Sequence, residues 1–325
     1  MIDVTFLSTK NDRLNGYGRS KQALIKYCKE FGLNLIEDDV HRKFGLCYAM
    51  PASIYQLKAD YKVLYTMFES NKLPPRFVAP LPEADKILVP SKFCSEVFFK
   101  HGFDNEVVPL GYDSEIYKPY NRPERDLFVF LHYDSFTVRK GWHEVFKAFQ
   151  KAFKKDEPVR IIFKTTESNK LIPPLHLYPQ MKTIVADYDD YEMNALLKKS
   201  DCFVFPSRGE GLGIPPLEAM ATGVPVIAPN KHGIAQYYNK KCMLKVKSQK
   251  IKAIYAHFKG EDCGRMVKCS ISDLARKMRF AYDNQEKMKK MGQIASEYAA
   301  KNYTYRHTAK KLSEVFHDLA NQQKG

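Results

Sequence analysis

Short apolar runs alternate along the chain with stretches in which apolar residues recur every three or four positions. The first pattern predicts strands and the second amphipathic helices. Residues 2–7 (IDVTFL) read as a strand, and 20–31 (SKQALIKYCKEF) as a helix with Leu24, Tyr27, Cys28 and Phe31 on one face. FGLCYAM (44–50), YKVLYTMF (61–68) and ADKILVPS (84–91) read as strands, and 91–102 as a helix closed by Gly102. A polar segment with two prolines, 112–126, has the composition of a linker. The same alternation then restarts. LFVFLHY (127–133), VRIIFKT (159–165), KTIVAD (182–187) and DCFVFPS (201–207) read as strands. Helices are expected over 141–153, with Trp142, Val145, Phe146, Phe149 and Phe153 as one stripe, and over 191–200. The last segment, 303–320, is helical, with Tyr305, Thr308, Leu312, Val315 and Leu319 near one face.

Strand–helix alternation in both halves predicts an α/β protein with two Rossmann-like, doubly wound parallel sheets facing across a cleft. A chain of 325 residues is long enough for two such cores. The expected division is 1–118, then 119–302, then a terminal helix, 303–325, returning toward the first domain. ADKILVPSKF (84–93) and SDCFVFPSRG (200–209) echo one another, each placing Pro-Ser at the carboxyl end of a strand. Ligands of such sheets bind at those ends.

Composition narrows the classes. No apolar run approaches the roughly 20 residues of a membrane span, and the first residues lack the pattern of a signal peptide. Seven scattered cysteines without a CxxC pair suit reduced thiols and a cytoplasmic location rather than zinc or a disulfide framework. Residues 1–120 carry 16 basic and 15 acidic side chains, whereas the remainder carries 36 and 22. The net charge of +15 is therefore almost all on the second half, which suits phosphate-bearing ligands, DNA or peripheral contact with an anionic membrane.

The densest candidate chemistry is SRGEGLGIPPLEAMATGVPVI (207–227). Glu210 and Glu218 stand eight positions apart, around Gly211, Gly213 and the pair Pro215-Pro216. The glycines permit close backbone approach, and the helix expected from about Pro215 offers free N–H groups to an anion. Carboxylates accept strongly from sugar hydroxyls. Two carboxylates beside an anion site suit a ligand carrying both phosphates and hydroxyls, such as a nucleotide-sugar.

Residues 206–226 fit a Pro-Ser-x-x-Glu-Gly-x-Gly-x-Pro-x-x-Glu-Ala-Met-Ala-x-Gly-x-Pro-Val frame, and in this the chain resembles the family-four retaining glycosyltransferases of the GT-B fold. The resemblance implies transfer of a sugar from a nucleotide-diphosphate sugar to a hydroxyl acceptor, without a metal or other cofactor. It implies that Glu210 contacts the donor sugar and Glu218 the ribose, with Ser207, Gly211, Leu212 and Gly213 lining the donor pocket. SFTVRKGWHEVFKAF (135–149) resembles the family's Arg-Lys-Gly segment, which gives Arg139 and Lys140 the leaving diphosphate. Many members carry a further Arg six residues before that Lys; here the position is Asp134. LNGYGRS (14–20) resembles the glycine loop of the acceptor domain, with Gly16 and Gly18 near donor phosphate or acceptor. VLYTMFESNKLPPRF (63–77) resembles a Thr-x-Phe-Glu subgroup and places Glu69 at the acceptor side. The Asp187–Asp189 pair (DYD) could hold a metal in a GT-A enzyme, but its place before a helix reads as capping. The expected acceptor is a glycan, glycolipid or similar hydroxyl. A modified base in DNA is the alternative, and an inactive basic nucleic-acid-binding protein a minor one.

Overall fold

The computed structural model of the chain describes residues 1–9, 16–167 and 178–322. The first part contains β1 (Ile2–Ser8), α1 (Gly16–Glu30), β2 (Leu33–Ile36), β3 (Arg42–Tyr48), β4 (Ala59–Tyr65), α2 (Pro75–Val78), β5 (Lys86–Val89), α3 (Lys92–Phe99) and β6 (Glu106–Val107). Among the described residues these strands form one parallel sheet of order β2-β1-β3-β4-β5-β6. The second part contains β7 (Phe128–Tyr133), α4 (Trp142–Ala152), β8 (Val159–Thr165), β9 (Met181–Val185), α5 (Asp190–Lys198), β10 (Cys202–Val204), α6 (Ile214–Ala221), β11 (Val226–Ala228) and β12 (Met243–Lys245). Its sheet, again parallel, has the order β12-β11-β10-β7-β8-β9. That order reverses between β7 and β10, and such a switch point opens a crevice at the strands' carboxyl ends. The loops after these two strands are 134–141 and 205–213, which hold the Arg139-Lys140 pair and Glu210.

Central strands of both sheets are apolar on both faces because helices cover each side; every residue of β7 is buried. Helix starts follow local chemistry. Ser91 caps α3 by accepting from the Cys94 N–H, and Asp189 forms a capping box with Glu192 at α5. Asp189 of the DYD pair is thus a helix cap, whereas Asp187 accepts from the Glu167 N–H at 3.1 Å. α1 begins four residues before the expected start, so Gly16 and Gly18 lie in its first turn and not in a loop. Tertiary contacts outweigh glycine's poor helix propensity there: the Tyr17 ring packs 4.9 Å from that of Tyr48, and Arg19 binds Asp190. Residues 14 and 15 of that segment lie outside the described residues.

The chain ends with β13 (Ser248–Lys252), β14 (Arg265–Cys269), α7 (Ile271–Asp283), α8 (Gln285–Asn302) and α9 (Tyr305–Gln322). α9 packs on α1 of the first part, where the Tyr305 hydroxyl meets Ser20 Oγ at 2.8 Å. β13 and β14 form an antiparallel hairpin that sequence patterning did not show. It reaches out of the second part onto the first. Phe258 and Cys263 join the apolar cluster of Phe68, Phe77 and Phe98, and Ser70 Oγ donates to the Cys263 carbonyl at 2.6 Å. None of the helices among the described residues is long and apolar enough to cross a membrane.

Candidate functional site

The two sheets face each other across a cleft of about 590 Å³, within the range of small-molecule sites. Both glutamates line it, as do Glu69, Arg139, Lys140, Gly211, Leu212 and Gly213. The loop after β10 brings Glu210 to one end. Its carboxylate, 7% exposed, accepts from Lys140 Nζ at 2.6 Å and Ser207 Oγ at 2.6 Å, and lies 3.2 Å from Arg139 Nη1. Burial works to raise this carboxyl, but Lys140 and Arg139 outweigh it and hold Glu210 below the usual carboxylate range. Arg139 also donates to the Gly209 carbonyl at 2.7 Å and faces Glu69 Oε1 at 3.7 Å. The hairpin adds Tyr255, whose hydroxyl donates to Glu69 Oε2 at 3.1 Å. Two cations and two carboxylates thus meet where Glu69 of the first part faces Arg139 of the second.

Glu218 sits one turn into α6 and is 4% exposed. Its two oxygens have different partners: Oε2 accepts from the Tyr133 hydroxyl at 2.6 Å, and Oε1 from Arg19 Nη2 at 3.0 Å. Arg19 comes from α1 across the cleft and also binds Asp190 and the Tyr117 hydroxyl. Burial raises the Glu218 carboxyl against the pull of Arg19. The cleft therefore pushes the two carboxyl groups in opposite directions, keeping a charged Glu210 beside two cations and a less acidic Glu218 among hydroxyl donors.

The helix N-terminus is a poorer anion site than the sequence suggested. Pro215 and Pro216 carry no N–H, so among the first four residues of α6 only Ile214 and Leu217 offer one. More of any phosphate charge falls to Arg139 and Lys140. Asp134, where many family members carry Arg, turns away from that role: its Oδ2 lies 2.8 Å from His132 Nε2, and both side chains are buried. Gly16 and Gly18 sit in the first turn of α1, facing the cleft through their neighbours Tyr17 and Arg19.

The glycines on either side of Glu210, Gly209 and Gly211, serve the junction between the two parts. A Cβ on Gly209 would lie 2.1 Å from the Glu69 carbonyl oxygen, and one on Gly211 2.6 Å from Met67 Cβ. Gly209→Ala is expected to displace residues 67–69 and lower stability by about 1–3 kcal/mol. Thermal unfolding checks this; an unchanged midpoint would show that the junction yields freely.

Behind the motif, residues His232–Gln236 form a short 3₁₀ turn that buttresses it, with the Gly233 N–H donating to the Glu210 carbonyl at 2.9 Å. Burial pushes the His232 imidazole down to about 4. The unfolded chain then takes up the proton first, so this residue's contribution is complete above about pH 6.5 and is lost as pH falls toward 4. The loss amounts to at most about 3 kcal/mol. His232→Asn, which tolerates the positive φ of 53°, should lose less stability between pH 7 and 4.5 in denaturant titrations. Equal losses in both proteins would refute the assignment.

Sequence reasoning missed Arg19, Tyr133, Asp190, Tyr255 and Lys164. Only Lys164 carried a visible signal, a charged residue directly after the apolar run Ile161–Phe163.

The glycosyl transferases group 1 family model matches residues 113–298. The MMP alpha-(1->4)-mannosyltransferase of Mycolicibacterium hassiacum is 26% identical over 125 residues, 38% of this chain and 30% of that protein; the chain thus matches under a third of that relative's length. Among solved structures, a glycosyltransferase from Rickettsia africae superposes with a TM-score of 0.73 at 15% identity over 98% of each chain. Anabaena HepE, in complex with UDP and glucose, does so with 0.71 at 13% identity over 98% of this chain and 100% of its own. At such identities the likeness is one of fold, and the fold is GT-B: two Rossmann-like sheets across a cleft.

Proposed function

The chain belongs to the glycosyl transferases group 1 family, and from that premise we propose that it moves a sugar from a nucleotide-diphosphate sugar to a hydroxyl acceptor, with retention at the anomeric carbon and without a metal. The observation that carries this reading is the pair of buried glutamates at separate stations of one cleft, Glu210 with Arg139 and Lys140, Glu218 with Tyr133 and Arg19. HepE, which shares the fold, holds UDP and glucose. In the present cleft the ribose hydroxyls would bind Glu218, the diphosphate Arg139 and Lys140, and the hexose Glu210, with Gly211, Leu212 and Gly213 forming the wall and Ser207, buried off the cleft, holding Glu210.

The bond from the anomeric carbon to the phosphate oxygen breaks as the bond to the acceptor oxygen forms on the same face. The acceptor proton passes to the departing diphosphate. Arg139 and Lys140 meet the charge that develops there, an electrostatic effect that needs no rearrangement. Glu69, braced by Tyr255 and Arg139, faces the acceptor side. The test is a screen of nucleotide-sugars for nucleoside diphosphate release in excess EDTA. Turnover of one donor at an EDTA-independent rate supports the reading; activity that appears only with added divalent ion would overturn its metal independence, and no turnover with any donor the whole of it.

The acceptor proposed is a glycan or glycolipid hydroxyl. The seven unpaired, buried thiols support a reducing, cytoplasmic setting. The basic surplus of residues 121–325 favours one second reading, a modified base in DNA. In that case DNA affinity falls with salt at a slope of roughly −0.9 per phosphate contacted, whereas donor affinity, set at short range inside the cleft, changes far less. Labelled sugar must also appear on DNA; salt-insensitive or absent DNA binding removes this reading.

A further inference from the structure

The proposed function gives no task to the Lys164 side chain of the cleft. Lys164 is the penultimate residue of β8, lines the cleft and is only 7% exposed. Its ammonium group makes no hydrogen bond or ion pair among the described residues; its close contact is the Tyr188 ring, 5.2 Å from Nζ to the centroid. A mostly buried ammonium group with no hydrogen-bonding partner in the protein gives up part of its hydration, which is costly. Burial shifts this lysine below its usual range, the expected response to that cost. Such a residue persists readily where a ligand completes it.

Its position along the cleft follows from its neighbours. In the sheet order β10-β7-β8, Lys164 is the register partner of Tyr133, whose hydroxyl holds Glu218, and it stands one strand farther from the loop after β10 that carries Glu210. Resting on the reading that ribose binds Glu218 and diphosphate binds Arg139 and Lys140, the station beyond the ribose is that of the base. The carboxylates of Asp187, Glu192 and Glu218 act electrostatically on Lys164 there, which disfavours a phosphate.

We propose that Lys164 donates to a ring carbonyl of the donor's nucleobase and so selects oxo bases, uracil or guanine, over the amino bases cytosine and adenine. A lysine has three N–H donors and no acceptor. Uracil O4 and guanine O6 accept from it, whereas the cytosine and adenine amino groups at the same edge are donors and oppose it. Tyr188 holds the side chain at that edge.

Calorimetric titration of nucleoside diphosphates in two pairs tests this, each pair differing at the base edge as oxo against amino: UDP with CDP, and inosine diphosphate with ADP. The wild-type protein should bind the oxo member at least tenfold more tightly in the pair whose ring size the cleft takes. Lys164→Met removes the donors and leaves a buried apolar chain of similar length; it should fold with an undiminished melting temperature and bind both members within threefold of each other. Equal binding within both pairs by the wild type overturns the proposal without needing a variant. So does a preference that survives in Lys164→Met, and so does an equal weakening of all four ligands, which would put Lys164 on the diphosphate. If the wild type binds none of the four, the nucleotide-sugar reading itself fails and this one with it.

Discussion

Glu210→Ala should lower turnover by about 10²- to 10³-fold, the usual effect of removing one preorganised group that faces developing charge, while nucleoside diphosphate affinity stays within about threefold. The asymmetry follows from the geometry. Glu210 is the common partner of Lys140 at 2.6 Å and Arg139 at 3.2 Å, and it is held ionised by them. In the proposed mechanism a fixed negative charge at the sugar end stabilises positive charge growing at the anomeric carbon. Without it, both cations remain and Arg139 keeps the Gly209 carbonyl and Glu69, so the diphosphate site survives. Steady-state kinetics beside a nucleotide titration separate the two effects. Turnover within fivefold of the wild type would remove Glu210 from the chemistry.

Glu218→Ala should do the reverse. Loss of a charged hydrogen-bond partner typically costs about 1.5–3 kcal/mol, a roughly 10- to 150-fold weaker affinity for nucleotide, with turnover at saturating donor little changed. Glu218 already has a partner on each oxygen, so the ribose must take the place of Arg19 or share with it. Arg19 is not stranded by the substitution, because Asp190 and Tyr117 still hold it. The variant should therefore fold. An unchanged nucleotide affinity would mean that Arg19 keeps Glu218 in the complex and that the ribose binds elsewhere.

The doubly wound sheets were legible because each strand is a short apolar run and each helix has a clear stripe; Phe128–Tyr133 and Trp142–Ala152 lie within a residue of expectation. The Pro-Ser echo was legible too, and both serines lie at the junction: Ser207 donates to Glu210, and Ser91 donates to the Gly211 carbonyl at 2.6 Å. The hairpin was not. Its strands, Ser248–Lys252 and Arg265–Cys269, are separated by a long loop without a two-residue turn signal. The partnership of Arg19 with Glu218 spans 199 positions and leaves no local trace. The motif glycine Gly211 looked like room for a ligand, yet the Met67 side chain lies against it, as the Glu69 carbonyl lies against Gly209. Local pattern reports the neighbours along the chain; contacts between two domains follow from how the finished sheets meet.

The most direct test of the two-station cleft is a structure of the complex with an intact nucleotide-sugar. The ribose hydroxyls should lie within hydrogen-bond distance of Glu218, the diphosphate against Arg139 and Lys140, and the hexose against Glu210. A donor bound in the opposite sense, with its ribose at Glu210, or outside the cleft altogether, would contradict the account.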